Sequence, residues 1–160
     1  MTLKQLAQLY NFHDCYVFTP FEIDGESVTV TFDLAKHLQY DDLKARYGDM
    51  LQKKECHLIV RVKFSDCLNF QICELTPHFT GAKKQSFTSD ARIISMEQFD
   101  TQADFISVSL ADSDSICFVF ESIDSFKKII EIQFESEQIE VLEEGVLDAV
   151  EFVKLWKQFE

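Results

Sequence analysis

The residues able to do chemistry in this chain are few and scattered. His13 stands beside Asp14, Cys56 beside His57, and Cys67 and Cys73 follow downstream. An adjacent His and Asp is a pairing that metal phosphohydrolases use, but they gather several further His on a helical scaffold. Here the pair opens a β-hairpin, so the plainer expectation is that Asp14 caps a turn and His13 bonds locally. Cys56, His57, Cys67 and Cys73 show no Cys-x-x-Cys or His-x-x-x-His spacing, the pattern that marks a zinc site. They read as small buried hydrophobes. No Gly-x-Ser-x-Gly elbow, phosphate-cradling Gly-rich loop or dinucleotide fingerprint is present, and four Gly leave little for a backbone-lined phosphate site. Asp112-x-Asp114 lacks the Gly and closing Glu of an EF-hand loop and reads as a turn. No metal, cofactor or catalytic residue is assigned. A hydrolase using His13, Asp14 and His57 stands as an alternative.

The elements that position these groups are mostly strands. Thr2 and Gln5 have the spacing of a capping box for a helix over 3–10, with Leu3, Leu6 and Tyr10 in one stripe. Tyr16 to Ile23 and Ser27 to Leu34 form a hairpin around Asp24-Gly25. Tyr40, Leu43, Tyr47 and Met50 recur at helical spacing, predicting a helical insert over about 40–52 that Asp41 or Asp42 caps. From Cys56 to Phe64 every second residue is apolar, and the parity returns at Leu68, Phe70 and Ile72. This predicts a central hairpin with Ser65-Asp66-Cys67 as its loop, pairing Val60 with Ile72. A loop over Thr76–Lys84, a strand from Ile93 to Phe99, and strands around Ile106–Leu110, Ile116–Phe120 and Ile130–Phe134 follow. Asp112–Ser115 and Glu135–Gln138 read as turns. A helix over 146–159, apolar round most of its circumference, closes the chain. The fold class expected is α+β: a predominantly antiparallel meander or sandwich in one domain, 1–160.

Composition narrows the function classes. Sixteen Phe against one Trp and three Met predict a Phe-built core. The net charge is −13, and residues 121–160 contribute 11 acids against 4 bases. Such a surface disfavours nucleic acid and anionic membranes and favours a basic protein partner. Five Cys with no framework spacing, no secretory leader and no long apolar run predict a reduced, cytoplasmic protein.

Phe12-His13-Asp14-Cys15 stands ahead of a hairpin ending Val28-Thr29-Val30-Thr31-Phe32-Asp33-Leu34. Cys56-His57-Leu58-Ile59-Val60-Arg61-Val62-Lys63-Phe64, Ile106-Ser107-Val108-Ser109-Leu110 and Ile130-Glu131-Ile132 follow. Over roughly residues 12–134 this order resembles the small β-rich bacterial immunity proteins of polymorphic toxin systems and related uncharacterised bacterial proteins. Residues 35–54 and the C-terminal helix lie outside that pattern. The resemblance implies a non-enzymatic bacterial protein that binds and blocks a toxin. Glu135, Glu137, Glu140, Glu143 and Glu144, clustered in the acidic last third, are the expected partner-binding residues. The helix over 146–159 is a candidate homodimer contact. A small-molecule pocket lined by Phe between sheet and helix is the other alternative.

Overall fold

In the computed structural model, which describes residues 1–80, 86–95, 105–110, 115–121 and 129–158, the capping box at the start is formed. Gln5 N donates to Thr2 Oγ1 and Thr2 N to Gln5 Oε1, and helix α1 runs Leu3–Leu9. Strands β1 (Tyr16–Asp24) and β2 (Ser27–Leu34) form the expected hairpin. Its turn is permitted by Gly25, whose φ of 59° carries no Cβ penalty. The insert is a 3-10 turn at Lys36–Leu38, helix α2 at Asp41–Tyr47, and a second 3-10 turn at Gly48–Gln52. The helix is shorter than its periodicity suggests because Gly48, at φ 48°, ends it. Tyr40 is the N-cap, and it makes no side-chain cap bond; Asp41 and Asp42 lie in the first turn, where the helix dipole favours acids.

The central hairpin is not formed. Strand β3 runs unbroken from Cys56 to Thr80. Val60 lies opposite Phe32 of β2 on one side and Glu144 on the other, rather than opposite Ile72. Parity alone cannot separate a hairpin from a strand that runs on, because both keep alternate residues on one face. The irregularity expected as a loop is absorbed as distortion: Asp66 and Asn69 take φ of 52° and 55°, and Asn69-Phe70 bulges out of the ladder. The expected loop at Thr76–Lys84 is strand as far as Thr80, and 81–85 lie outside the described residues. Pro77 is tolerated there because the pairing of β3 with its long neighbour stops at Leu75, leaving one edge without a ladder partner.

Strand β4 occupies Ser86–Ile93, so the strand expected to start at Ile93 ends there instead; 96–99 lie outside the described residues. Strands β5 (Phe105–Leu110) and β6 (Ser115–Glu121) stand where expected, and the turn between them is outside the described set. Strand β7 runs Ile129–Asp148, straight through the Glu135–Gln138 stretch expected to turn. Four polar residues without Gly or Pro suffice for a strand when Leu68, Cys67 and Ser65 pair against them. Helix α3 is Ala149–Trp156, shorter than 146–159, because Val146 to Asp148 complete β7. Asp148 caps the helix, accepting from Val150 N and Glu151 N, while Glu151 reaches back to Asp148 N.

All seven described strands form one antiparallel sheet in the order β1-β2-β3-β7-β6-β5, with β4 added to the far half of β3. The fold is α+β. On one face Val17, Val30, Phe32, Leu34, Leu58, Val60 and Val62 meet Leu6, Tyr10, Phe12, Leu43 and Leu51 in one buried cluster. Phe12 packs edge-on to Phe32 at 4.9 Å, and Phe64 to Phe134 at 5.3 Å, so these rings fill core. The opposite face carries Thr31, Asp33, His57 and Ile59, and α3 crosses it through Phe152 and Trp156. Phe32→Ala, which empties a site buried against both α1's following segment and β3, should cost about 3–5 kcal/mol. Urea unfolding should show a lower midpoint at unchanged slope; a loss below about 1 kcal/mol would contradict this packing.

Candidate functional site

Among the described residues, three sets of polar groups bear on the expected site residues, and they differ in what they leave free. The first is the hub around Glu144. Its carboxylate accepts from the Tyr10 hydroxyl, from Tyr47 Oη at 2.6 Å and from Arg46 Nη1 at 2.7 Å. Glu144 lies on the core face of β7, opposite Val60, so α1's end and α2 are pinned to the sheet through one acid. Burial, then the hydrogen bond to a negative acceptor, raises both phenols; Tyr47 is pushed up to about 12 and Tyr10 further still. A carboxylate held by three donors has little left to offer a partner. Glu144 is therefore a structural residue.

The second place holds the catalytic candidates. His13 Nδ1 meets Asp14 Oδ2 at 3.0 Å, both well exposed, and His13 N donates to Asn11 Oδ1 at 2.9 Å. With Asp14 at φ 55°, this is a local turn. His57 belongs to a different set: its Nδ1 lies 2.8 Å from Asp33 Oδ2, and its ring stacks on Phe152 at 3.6 Å. Burial raises the Asp33 carboxyl, an effect that His57 and Lys36 oppose. Stacking by Phe152 covers one side of the imidazole. His13, Asp14 and His57 thus make two separate pairings, one open and one covered. Cys15 is fully buried and its thiol is pushed up to about 12, chiefly by desolvation, which removes it as a nucleophile. Cys56, Cys67 and Cys73 are free thiols dispersed along β3, and among the described residues no set of His, Cys, Asp and Glu is placed to hold a metal ion.

The third place is at the bend of the β3–β7 ladder. A cavity of about 340 Å³ is lined by Thr2, Leu3, Asp66, Leu68, Glu135, Ser136 and Glu137. Asp66 accepts from Gln138 Nε2 at 3.0 Å and Glu135 from Asn69 Nδ2 at 3.1 Å, while Glu137 is exposed. The other expected residues of the acidic surface sit further along β7. Glu140 pairs opposite Lys63 and Glu143 opposite Arg61, so each faces a cation of its own chain across the ladder. Asp66 is the member the sequence reading missed. Its neighbours give it the look of a loop residue; only the continuity of β3 carries it to the side of Glu135 and Glu137. Two other cavities, of about 380 and 590 Å³, are walled by Lys36, Lys44 and Leu51 and by Ile23, Phe70 and Ile93 respectively. None of the three has His13, Asp14 or His57 in its wall.

No protein-family model, curated protein or solved structure matches this chain significantly. No helix among the described residues is long and apolar enough to cross a membrane.

The Glu144 hub makes a titration prediction. A phenol raised in the folded state stabilises the fold fully below its unfolded value near pH 10, and that contribution is lost as pH rises through the folded value. Stability should therefore fall between about pH 10 and 12 as Tyr47 ionises. In an ultraviolet titration, Glu144→Gln should move the Tyr47 phenol only part of the way back, because burial, its largest single cause, remains. Full return to the ordinary value would show that burial contributes nothing.

Proposed function

We propose that this chain is a non-catalytic, immunity-like protein-binding module of the bacterial cytoplasm, neutralising a basic toxin-like partner through its acidic surface. The observation that supports this best is the placement of Asp66, Glu135 and Glu137 around one surface cavity at the ladder bend. A Lys or Arg side chain of a partner entering there meets carboxylates, and no Lys or Arg is among the residues that line the cavity. Asp66 and Glu135 each accept one neutral amide bond from the chain, whereas Glu144 accepts three bonds, one from Arg46, and Asp33 is paired with His57. The acidic balance of the last 40 residues adds long-range steering of a basic protein and repels nucleic acid. A homodimer contact through α3 belongs to this reading too. Val150, Val153 and Trp156 are 64%, 50% and 47% exposed, an apolar strip of the kind subunit contacts use.

The double variant Glu135→Lys/Glu137→Lys tests the reading, because it reverses the cavity's charge on residues outside the core. Proteins retained by the immobilised wild-type chain from a lysate of the source organism would be identified, and the basic ones measured for association. Association with the variant should be roughly tenfold slower at low salt and its salt dependence flatter, with thermal stability held. Equal retention and equal on-rates for both chains would end the proposal.

A further inference from the structure

Lys36 and Cys56 form a pair that the binding reading does not use. Lys36 leaves the first 3-10 turn and reaches the start of β3, where its Nζ lies 3.1 Å from Cys56 Sγ and 3.1 Å from Cys56 O; it also donates to Lys53 O. Cys56 is buried, 8% exposed, and its thiol lies 2.8 Å from Met50 O and 3.1 Å from Lys53 O. The amine is thus held against one sulfur by several contacts, at a distance from which a covalent bond needs only a small approach. Lys36 also forms part of the wall of the cavity of about 380 Å³ beside His37, Lys44 and Leu51. That cavity borders Lys36 but not Cys56, so peroxide reaches the 8% exposed Cys56 through the slight surface it keeps.

We propose that Lys36 and Cys56 are an oxidation site at which hydrogen peroxide forms a covalent sulfur–nitrogen cross-link. In the first step Cys56 sulfur attacks one peroxide oxygen and the O–O bond breaks. The products are Cys56 sulfenic acid and water; sulfur is oxidised by two electrons and peroxide reduced by two. In the second step Lys36 Nζ, after releasing a proton to solvent, attacks that sulfur. The S–N bond forms, the S–O bond breaks, hydroxide leaves as water with a proton from nitrogen, and no further electrons move. The product ties the 3-10 turn Lys36–Leu38 to the first residue of β3, closing a loop that holds all of α2. A thiol reductant reverses it by attacking sulfur and releasing the amine.

The proximity of Lys36 separates this outcome from ordinary thiol oxidation. Without an amine in reach, sulfenic acid meets another thiol or more peroxide and moves up to sulfinic acid. The other described cysteines have no such partner in the observed contacts: Cys67 Sγ faces Phe64 O, and Cys73 Sγ accepts from Gln71.

The test is mass spectrometry of the folded full-length chain treated with hydrogen peroxide at a few equivalents. The cross-link predicts a loss of about 2 Da per chain and a joined peptide pair containing Lys36 and Cys56, which dithiothreitol separates. Lys36→Arg keeps the positive charge but supplies no comparable amine nucleophile. In that variant Cys56 should advance to the sulfinic acid, a gain of about 32 Da, with no joined peptide. Circular dichroism of the untreated variant checks that it is folded, and if it is not, peroxide treatment of wild-type chain with its lysines reductively dimethylated gives the same comparison. Sulfinic acid at Cys56 of the wild-type chain, or Cys56 left as a free thiol while other cysteines oxidise, would overturn the proposal.

Discussion

The whole structure hangs on one ladder, the antiparallel pairing of β3 with β7 from Cys56–Asp148 to Leu75–Ile129. At about 3.3 Å per residue such a pair spans some 60 Å, several times the usual strand. Two strands alone are not stable in water, so everything else serves to cover or extend this ribbon. One half takes β2 and β1 on its β3 edge; the other takes β4 on that edge and β6 and β5 on the β7 edge. The described helices lie over the first half. The register slips at Arg61/Val62 and Leu68/Gln71 let so long a ribbon twist and bend without breaking.

That ladder also decides what each charged group can do. Because Glu144 lies opposite Val60, its side chain is on the core face and must be satisfied internally; Tyr10, Tyr47 and Arg46 do so. Its sequence neighbour Glu143 lies opposite Arg61 on the other face, and Arg61 also reaches Glu22 of β1 at 2.8 Å. One step along a strand separates a structural acid from a surface acid. The same alternation puts His57 between Asp33 and Phe152, on the face that α3 covers, while its neighbour Leu58 is in the core.

The hairpin of β1 and β2, the N-terminal helix and its capping box were legible because each rests on local chemistry: Gly25 at positive φ, Thr2 against Gln5. The paths of β3 and β7 were not. Ser65-Asp66-Cys67 and Glu135-Ser136-Glu137-Gln138 carry polar residues typical of turns, yet they face each other across the ladder, with Ser65 opposite Gln138 and Cys67 opposite Ser136. Turn chemistry in either stretch was outweighed by pairing with the other, which no window along the chain can show. The error propagated to the site. A loop at Asp66 and a turn at Glu137 would give the two acids no reason to meet, and only the unbroken strands bring Asp66 to the acidic set.

Residues chosen by type alone were a poor guide to chemistry here, and the reason is physical. A histidine, cysteine or carboxylate becomes reactive through a particular neighbour and access to solvent, neither of which its letter encodes. Cys15 has an acid-flanked, fully buried setting that holds it as a thiol, and His57 is covered by Phe152. Cys56 differs because Lys36, 20 positions earlier, ends at its sulfur. That approach depends on α2 looping out between the two residues and the chain returning past Lys53 to begin β3 at Cys56. The insert that reads as an interruption of the β pattern is thus what brings an amine to a thiol, and its length, rather than any motif, sets the pair's geometry.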